Sequence, residues 1–198
     1  MSFLNELQLK RSKLKPTETT VTLADGTRYK TTSESVGMKI DLGKFSGFVV
    51  DTKPDLEAAC ILQDFLYLGS QDAVNEENVV KLGIRNILSV GIDTPPSLSV
   101  DIDRTVIKHY LPCLDIPETD MASVFNEANA IINSIRAQSQ SVLIHCNAGV
   151  SRSATICIAY LMINEQLSFD AALELVKSRR PCTRPNDGFL KQLKNLSK

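Results

Sequence analysis

Tryptophan is absent from the 198 residues, and histidine occurs only twice, at His109 and His145. With two imidazoles and no Cys-x-x-C pair, a zinc site has no ligand set to draw on, and neither a metal nor any other cofactor is expected. The five cysteines (Cys60, Cys113, Cys146, Cys157, Cys182) are odd in number and show no paired spacing. That speaks against a disulfide framework and for a reducing compartment. A cytoplasmic location is therefore expected, with the nucleus open as a second one. No apolar run approaches the ~20 residues a membrane span needs. The opening MSFLNELQLKRSKLK lacks the apolar core of a secretory signal, and Ser2 is not the glycine that N-myristoylation requires. A formal net charge of −1 lacks the strongly basic footprint of a nucleic-acid binder. Neither nucleic acid nor a membrane span is expected among the partners.

What is present is ordinary globular material, 43% hydrophobic and 23% charged. Its texture changes near residue 60. Residues 1–60 read as an N-terminal extension, partly flexible, with a hairpin at 20–32 around Asp25-Gly26. The basic cluster Lys10, Arg11, Lys13 and Lys15 reads first as a solvated tail, with docking as the alternative. From 61 to 198 strands and helices alternate. ILQDFLYLGS reads as a strand or hairpin and AVNEENVVKLG as a helix capped by Gly83. IRNILSVG and VIKHYLPCL are apolar strands, and MASVFNEANAIINSIRAQ is a helix opened by Asp120. SVLIHC is a short buried strand, and the SRSATICIAYLMINEQ helix is apolar enough to be central. FDAALELVKSRR, opened by Ser168, and NDGFLKQLKNL are the last helices. The pattern predicts an α/β domain with a central, mostly parallel sheet of about five strands flanked by helices. Ligands in such sheets bind beyond the carboxyl ends of the strands, where Cys146 should lie.

The stretch HCNAGVSRS joins the end of a strand to the start of a helix. A chain curling this way turns several backbone N–H groups into one concavity, and a helix N-terminus adds to the field. Gly149 permits backbone angles that a side chain forbids. Asn147, Ala148, Gly149, Val150, Ser151 and Arg152 thus form an anion cup, and the Arg152 fork can grip two oxygens of a phosphate. Cys146 would lie at its base, where cationic neighbours and the helix start favour the thiolate. A thiolate beneath a bound phosphate is a nucleophile aimed at phosphorus. Ser153 can donate a hydrogen bond to the sulfur and ease its departure. His145 reads as a positioner of the loop, Cys60 and Cys157 as structural thiols. Cys113 stays open between a structural thiol and a redox partner of Cys146.

HCNAGVSRS resembles the HCxxGxxR[ST] motif of the cysteine-dependent protein phosphatases, and AYLM beyond it resembles their dual-specificity branch. FLYLGSQDA, GIRNILSV, PETDMASVFNEA and RPNDGFLKQL are similar to that branch in the same order, so the resemblance covers 61–198. It implies a protein-tyrosine-phosphatase-like catalytic domain of the small type, without the rhodanese-like domain of larger relatives. It also implies phosphoprotein substrates in kinase cascades, with MAP kinases or their upstream kinases as candidates.

Phosphoester cleavage needs an acid for the leaving oxygen. LDIPETD offers Asp115, Glu118 and Asp120, of which Asp120 has a competing duty as a helix cap. Asp115 directly follows a strand and so should reach the carboxyl edge of the sheet. The family places its acid ten positions before an aromatic on the next helix. Here that aromatic is Phe125, which again selects Asp115. The expected reaction is hydrolysis of phosphotyrosine, phosphoserine and phosphothreonine through a phosphocysteine, with Cys146, Arg152, Asp115 and Ser153 catalytic. The absence of tryptophan removes the Trp-Pro-Asp acid loop of tyrosine-specific relatives, which favours a shallow cup. The alternatives are a phosphoinositide or RNA phosphatase, or a scaffolding module that binds phosphoproteins without turnover.

Overall fold

A computed structural model describes residues 18–22, 27–32, 40–44 and 54–196. The chain divides into two compact units at Phe45/Ser46. In the first, β1 (Glu18–Thr22), β2 (Thr27–Thr32) and β3 (Ile40–Lys44) form an antiparallel sheet in the order β1-β2-β3. The expected pairing of two strands here is present, from Glu18 opposite Thr32 to Thr22 opposite Arg28. The third strand was not expected. The Asp25-Gly26 turn and the Lys10–Lys15 basic cluster lie outside the described residues.

The second unit holds a five-stranded sheet in the order β4-β5-β8-β6-β7. Its strands are β4 (Ala59–Leu62), β5 (Leu66–Gly69), β6 (Ile84–Val90), β7 (Ile107–Leu111) and β8 (Ser141–His145). Only β4 is antiparallel to its neighbour, because the short turn after Leu62 reverses the chain directly. The other pairs are parallel. The division at Phe45/Ser46 falls earlier than the boundary at residue 60 read from composition. Ala59 and Cys60 are sheet residues, and Asp55 pairs with the buried Arg180, so residues 54–60 go with the second unit.

Among the described residues there are six helices: α1 (Glu76–Lys81), α2 (Val100–Asp103), α3 (Met121–Ala137), α4 (Arg152–Asn164), α5 (Phe169–Arg179) and α6 (Asp187–Leu196). Their caps are those the sequence supplies. Asp120 accepts from the Ala122 amide at 3.0 Å, and Ser168 accepts from the Ala171 amide at 3.3 Å. Gly83 closes α1 with a φ of +61°. The single-turn α2 was not expected. Alternation along the strands sends Leu66, Leu68, Leu88, Val90, Val142 and Ile144 to one face, under α3, α4, α5 and α6. Tyr67, Ile87 and Leu143 face the other side with Val79 of α1. Helices on both faces bury a parallel sheet completely, which is why β8 has no exposed position. No helix among the described residues is long and apolar enough to cross a membrane.

Candidate active site

β8 lies between β5 and β6, in register so that Gly69, Ser89 and His145 are neighbours. The chain leaving β8 therefore emerges at the carboxyl edge of the sheet, beside the segments that leave β5 and β6. The residues after Cys146 curl there, and their carbonyl oxygens each have a donor outside the curl. The Gln71 amide donates to Asn147 O at 2.9 Å, and the Arg184 amide donates to Val150 O at 2.8 Å. Arg180 holds the two between: Nη2 donates to Ala148 O at 3.0 Å and Nε to Gly149 O at 2.8 Å. The Thr155 amide takes Ser151 O at 2.8 Å. In a planar trans peptide the C=O and N–H point in opposite directions. Carbonyls tied outward therefore turn the amides of residues 148–152 inward, and the curl becomes an anion cup. Gly149 is required within it. Its φ is +64°, and a Cβ there would sit 2.4 Å from Gly69 O and 2.6 Å from Arg180 Nη2.

Cys146 is buried at the base of the cup, and Ser153 Oγ donates to its sulfur at 3.2 Å. Arg152 is the first residue of α4. Its Nη1 donates to Gly91 O at 3.1 Å and to Val90 O at 3.3 Å, so the guanidinium is fixed to the end of β6. Gly91 makes room for it; a Cβ there would lie 2.6 Å from Nη1. Arg152 Nε is buried without a hydrogen-bond partner, although Asp115 Oδ2 lies 3.5 Å away. That separation is an ion pair but not an aligned hydrogen bond. Asp115 Oδ1 is committed twice, accepting from Ser151 Oγ at 2.7 Å and Asn186 Nδ2 at 2.9 Å.

His145 points away from the cup. Its Nδ1 faces the Cys146 carbonyl at 3.4 Å, and its Nε2 lies 2.7 Å from Ser89 Oγ. A carbonyl only accepts, so Nδ1 carries the proton and Ser89 donates to Nε2. Ser89 in turn meets Thr94 Oγ1 at 2.7 Å. Burial, reinforced by the Arg152 charge, pushes His145 down to about 4 against the opposing pull of the Cys146 carbonyl. The ring is neutral at physiological pH. Cys113 contacts the Leu114 carbonyl and Met121 Sδ, each at 3.8 Å. Burial pushes its thiol up to about 11, so it is a poor source of thiolate for exchange with Cys146.

The structure thus brings Cys146, Arg152, Asp115 and Ser153 to one place, with residues 147–152 wrapped around it. Of the other acids in LDIPETD, Asp120 caps α3 and Glu118 is exposed. Asp55, Gln71, Arg180 and Asn186 were not read from the sequence. Asn186 carried one signal, since it stands just before the first residue of α6. There it accepts from the Phe189 amide at 3.0 Å, as a cap does. Arg180 carried none.

The dual specificity phosphatase catalytic domain matches residues 66–198. The chain belongs to that family. This dual specificity phosphatase removes phosphate from tyrosine, serine and threonine side chains of proteins, and its substrates are phosphoproteins. It is similar to a probable dual specificity protein phosphatase of Dictyostelium discoideum, at 37% identity over 98% of this chain and 97% of that one. It is also similar to mouse dual specificity protein phosphatase 19, at 38% identity over 75% of this chain and 66% of that one. Among solved structures, human DUSP28 superposes with a TM-score of 0.63 at 28% identity, over 73% of this chain and 93% of that one. A mouse protein assigned to the same phosphatases and crystallised with zinc tungstate gives a TM-score of 0.65 at 30% identity, over 74% of this chain and 89% of that one.

Proposed function

We propose that this phosphatase works through Cys146 as nucleophile, Arg152 and the loop amides as phosphoryl holders, Asp115 as general acid and Ser153 as support for the departing thiolate. The observation that carries this reading is the cup itself: five carbonyls tied outward around a cysteine that accepts a hydrogen bond from Ser153. Tungstate, the ion bound in one structural neighbour, is a tetrahedral oxyanion like phosphate.

Substrate phosphate enters the cup and takes the inward amides together with Arg152 Nε, the buried donor that has no partner. Cys146 Sγ attacks phosphorus, forming the S–P bond as the P–O bond to the side chain breaks. Asp115 gives its proton to the leaving oxygen. Oδ1 is occupied by Ser151 and Asn186, so the proton resides on Oδ2. Once phosphate neutralises Arg152, Oδ2 is released from the ion pair, takes up this proton from solvent and faces the leaving group. In the second step Asp115, now a carboxylate, takes a proton from water, and the hydroxide displaces Cys146, whose leaving thiolate is stabilised by Ser153. The substrates we propose are signalling kinases, MAP kinases or their activators among them, met in the cytoplasm or nucleus. The odd number of cysteines, with no paired spacing, supports a reducing compartment.

Hydrolysis of an aryl phosphate tests the assignment. Cys146→Ser should remove turnover while retaining phosphopeptide binding. Asp115→Ala should lower kcat by about 10²-fold and flatten the alkaline limb of the pH profile, where an acid loses its proton. Turnover by Cys146→Ser at the wild-type rate, or an unchanged alkaline limb in Asp115→Ala, overturns the respective role. The Asp115→Ala form is also suited to trapping the natural substrate from cell extract.

A further inference from the structure

We propose that a groove beside the acid loop binds the substrate polypeptide next to its phosphorylated residue, taking one apolar side chain with a lysine or arginine beside it. This rests on the catalytic roles proposed above. The groove has a volume of about 480 Å³ and is lined by Gly91, Tyr110, Leu114, Ile116, Glu118 and Asp120, among others. It is continuous with the site. At one end Gly91 holds Arg152 through its carbonyl. Along its wall, Leu114 and Ile116 flank Asp115 in sequence.

The bend at Asp115 turns the carboxylate toward Ser151 and Asn186 and leaves its two neighbours outward. Leu114 is 69% exposed, Tyr110 53% and Ile116 42%. Three large apolar side chains held together in water mark a place meant to be covered. The general acid must face the leaving oxygen, and that oxygen belongs to the substrate's own side chain. The polypeptide carrying it therefore passes over the residues on either side of Asp115. Charge specifies the occupant further. The two charged side chains in the groove lining, Glu118 and Asp120, are both acidic and both exposed. They oppose an acidic neighbour and attract a basic one.

The test compares kcat/KM for four phosphopeptides that differ only beside the phosphorylated residue: Leu-Lys, Ala-Lys, Leu-Glu and Ala-Glu. An aryl phosphate, which cannot reach the groove, is the control. Wild-type enzyme should favour Leu-Lys over Ala-Glu by about tenfold or more. Tyr110→Ser should erase the Leu preference, and Glu118→Lys, which leaves one acid and one base in the lining, should abolish the Lys preference. Both variants should keep aryl phosphate turnover within about twofold of wild type, which also shows that they fold. Equal kcat/KM for all four peptides, or a ranking unmoved by Glu118→Lys, overturns the groove while aryl phosphate turnover keeps the catalytic roles intact. A rise in kcat/KM for all four peptides alike on deleting residues 1–45 assigns the groove to this chain's own N-terminus and overturns the proposal. A rise on dilution assigns it to a second copy and does the same. Loss of aryl phosphate turnover in the wild-type enzyme would instead strike the catalytic roles.

Discussion

A single guanidinium governs the shape of the cup. Arg180 is 6% exposed in its side chain, ion-paired to Asp55, and bonded to two consecutive loop carbonyls. Removing it frees the peptide units that present two of the inward amides. Arg180→Met should therefore lower kcat/KM for aryl phosphate by about 10²-fold, the order seen when an oriented anion donor is lost. It should weaken inhibition by tungstate in parallel. Arg180→Lys keeps the charge but not the fork and should recover only part of either. Equal tungstate inhibition in all three forms would reduce Arg180 to a purely structural role. His145 governs stability in another way. Its ordinary value near 6.5 applies when the chain is unfolded, against about 4 when folded. Between those values the unfolded chain binds a proton that the folded one does not. The stability owed to the neutral ring is thus complete above pH 6.5 and drains away as pH falls toward 4, by about 3 kcal/mol in all. Urea unfolding at pH 7 and pH 4.5 should show this loss, and a His145→Gln protein should show a flatter dependence. Cys146, Arg152 and their glycine could be read from sequence because they adjoin in the chain and carry their chemistry in residue type. Arg180 could not. An arginine after a helix carries no mark of its partner, and its partner Asp55 lies 125 positions away.

Among the elements, α6 acts on the acid loop. Asn186 at its start holds Asp115, and Gln192 donates to Thr119 O and accepts from the Met121 amide, each at 2.8 Å. Gly188 lies so close to Pro117 that a Cβ would be 2.1 Å from its carbonyl. The helix is therefore the rest that holds Asp115, the proposed general acid. Asn186→Ala should slow hydrolysis of phosphothreonine peptides by about tenfold and of activated aryl phosphates much less, since good leaving groups need little proton donation. Steady-state rates on the two substrate types check this; equal losses would place Asn186 in folding alone. Helices and strands of the catalytic unit were legible because periodicity and caps are local signals: Asp120, Ser168 and Gly83 each end or begin a helix where the sequence puts them. β3 and α2 were not. Ile40–Lys44 has no alternation beyond Ile40 and Leu42, and Val100–Asp103 is a single turn carrying two acids.

At the scale of the whole molecule, the break at Phe45/Ser46 leaves the antiparallel β1-β2-β3 sheet outside the catalytic unit. Asp55 and β4 stay inside it. Two truncations should therefore behave differently. A chain of residues 46–198 should keep aryl phosphate turnover within about twofold. A chain of residues 61–198 loses Asp55 and leaves the buried Arg180 guanidinium without its ion-pair partner. It should unfold more readily and lose turnover. Similar activity and melting temperatures for the two would show that Asp55 contributes nothing to the cup. Composition placed the boundary at residue 60 because Ser46, Thr52 and Lys53 continue the texture of the extension past the break, whereas the pairing that ties Asp55 down is visible only in three dimensions.

The clamp also orders events in time. A ribosome releases Cys146 and Arg152 before Arg180, Arg184 and Asn186, all of which lie nearer the C-terminus. Until those residues emerge, the loop carbonyls are unrestrained and the acid has no rest. A nascent chain, or a product terminated early at residue 179, displays the whole HCNAGVSRS motif yet has no template to shape it. Such a chain should therefore show no turnover of phosphoproteins until α6 is made.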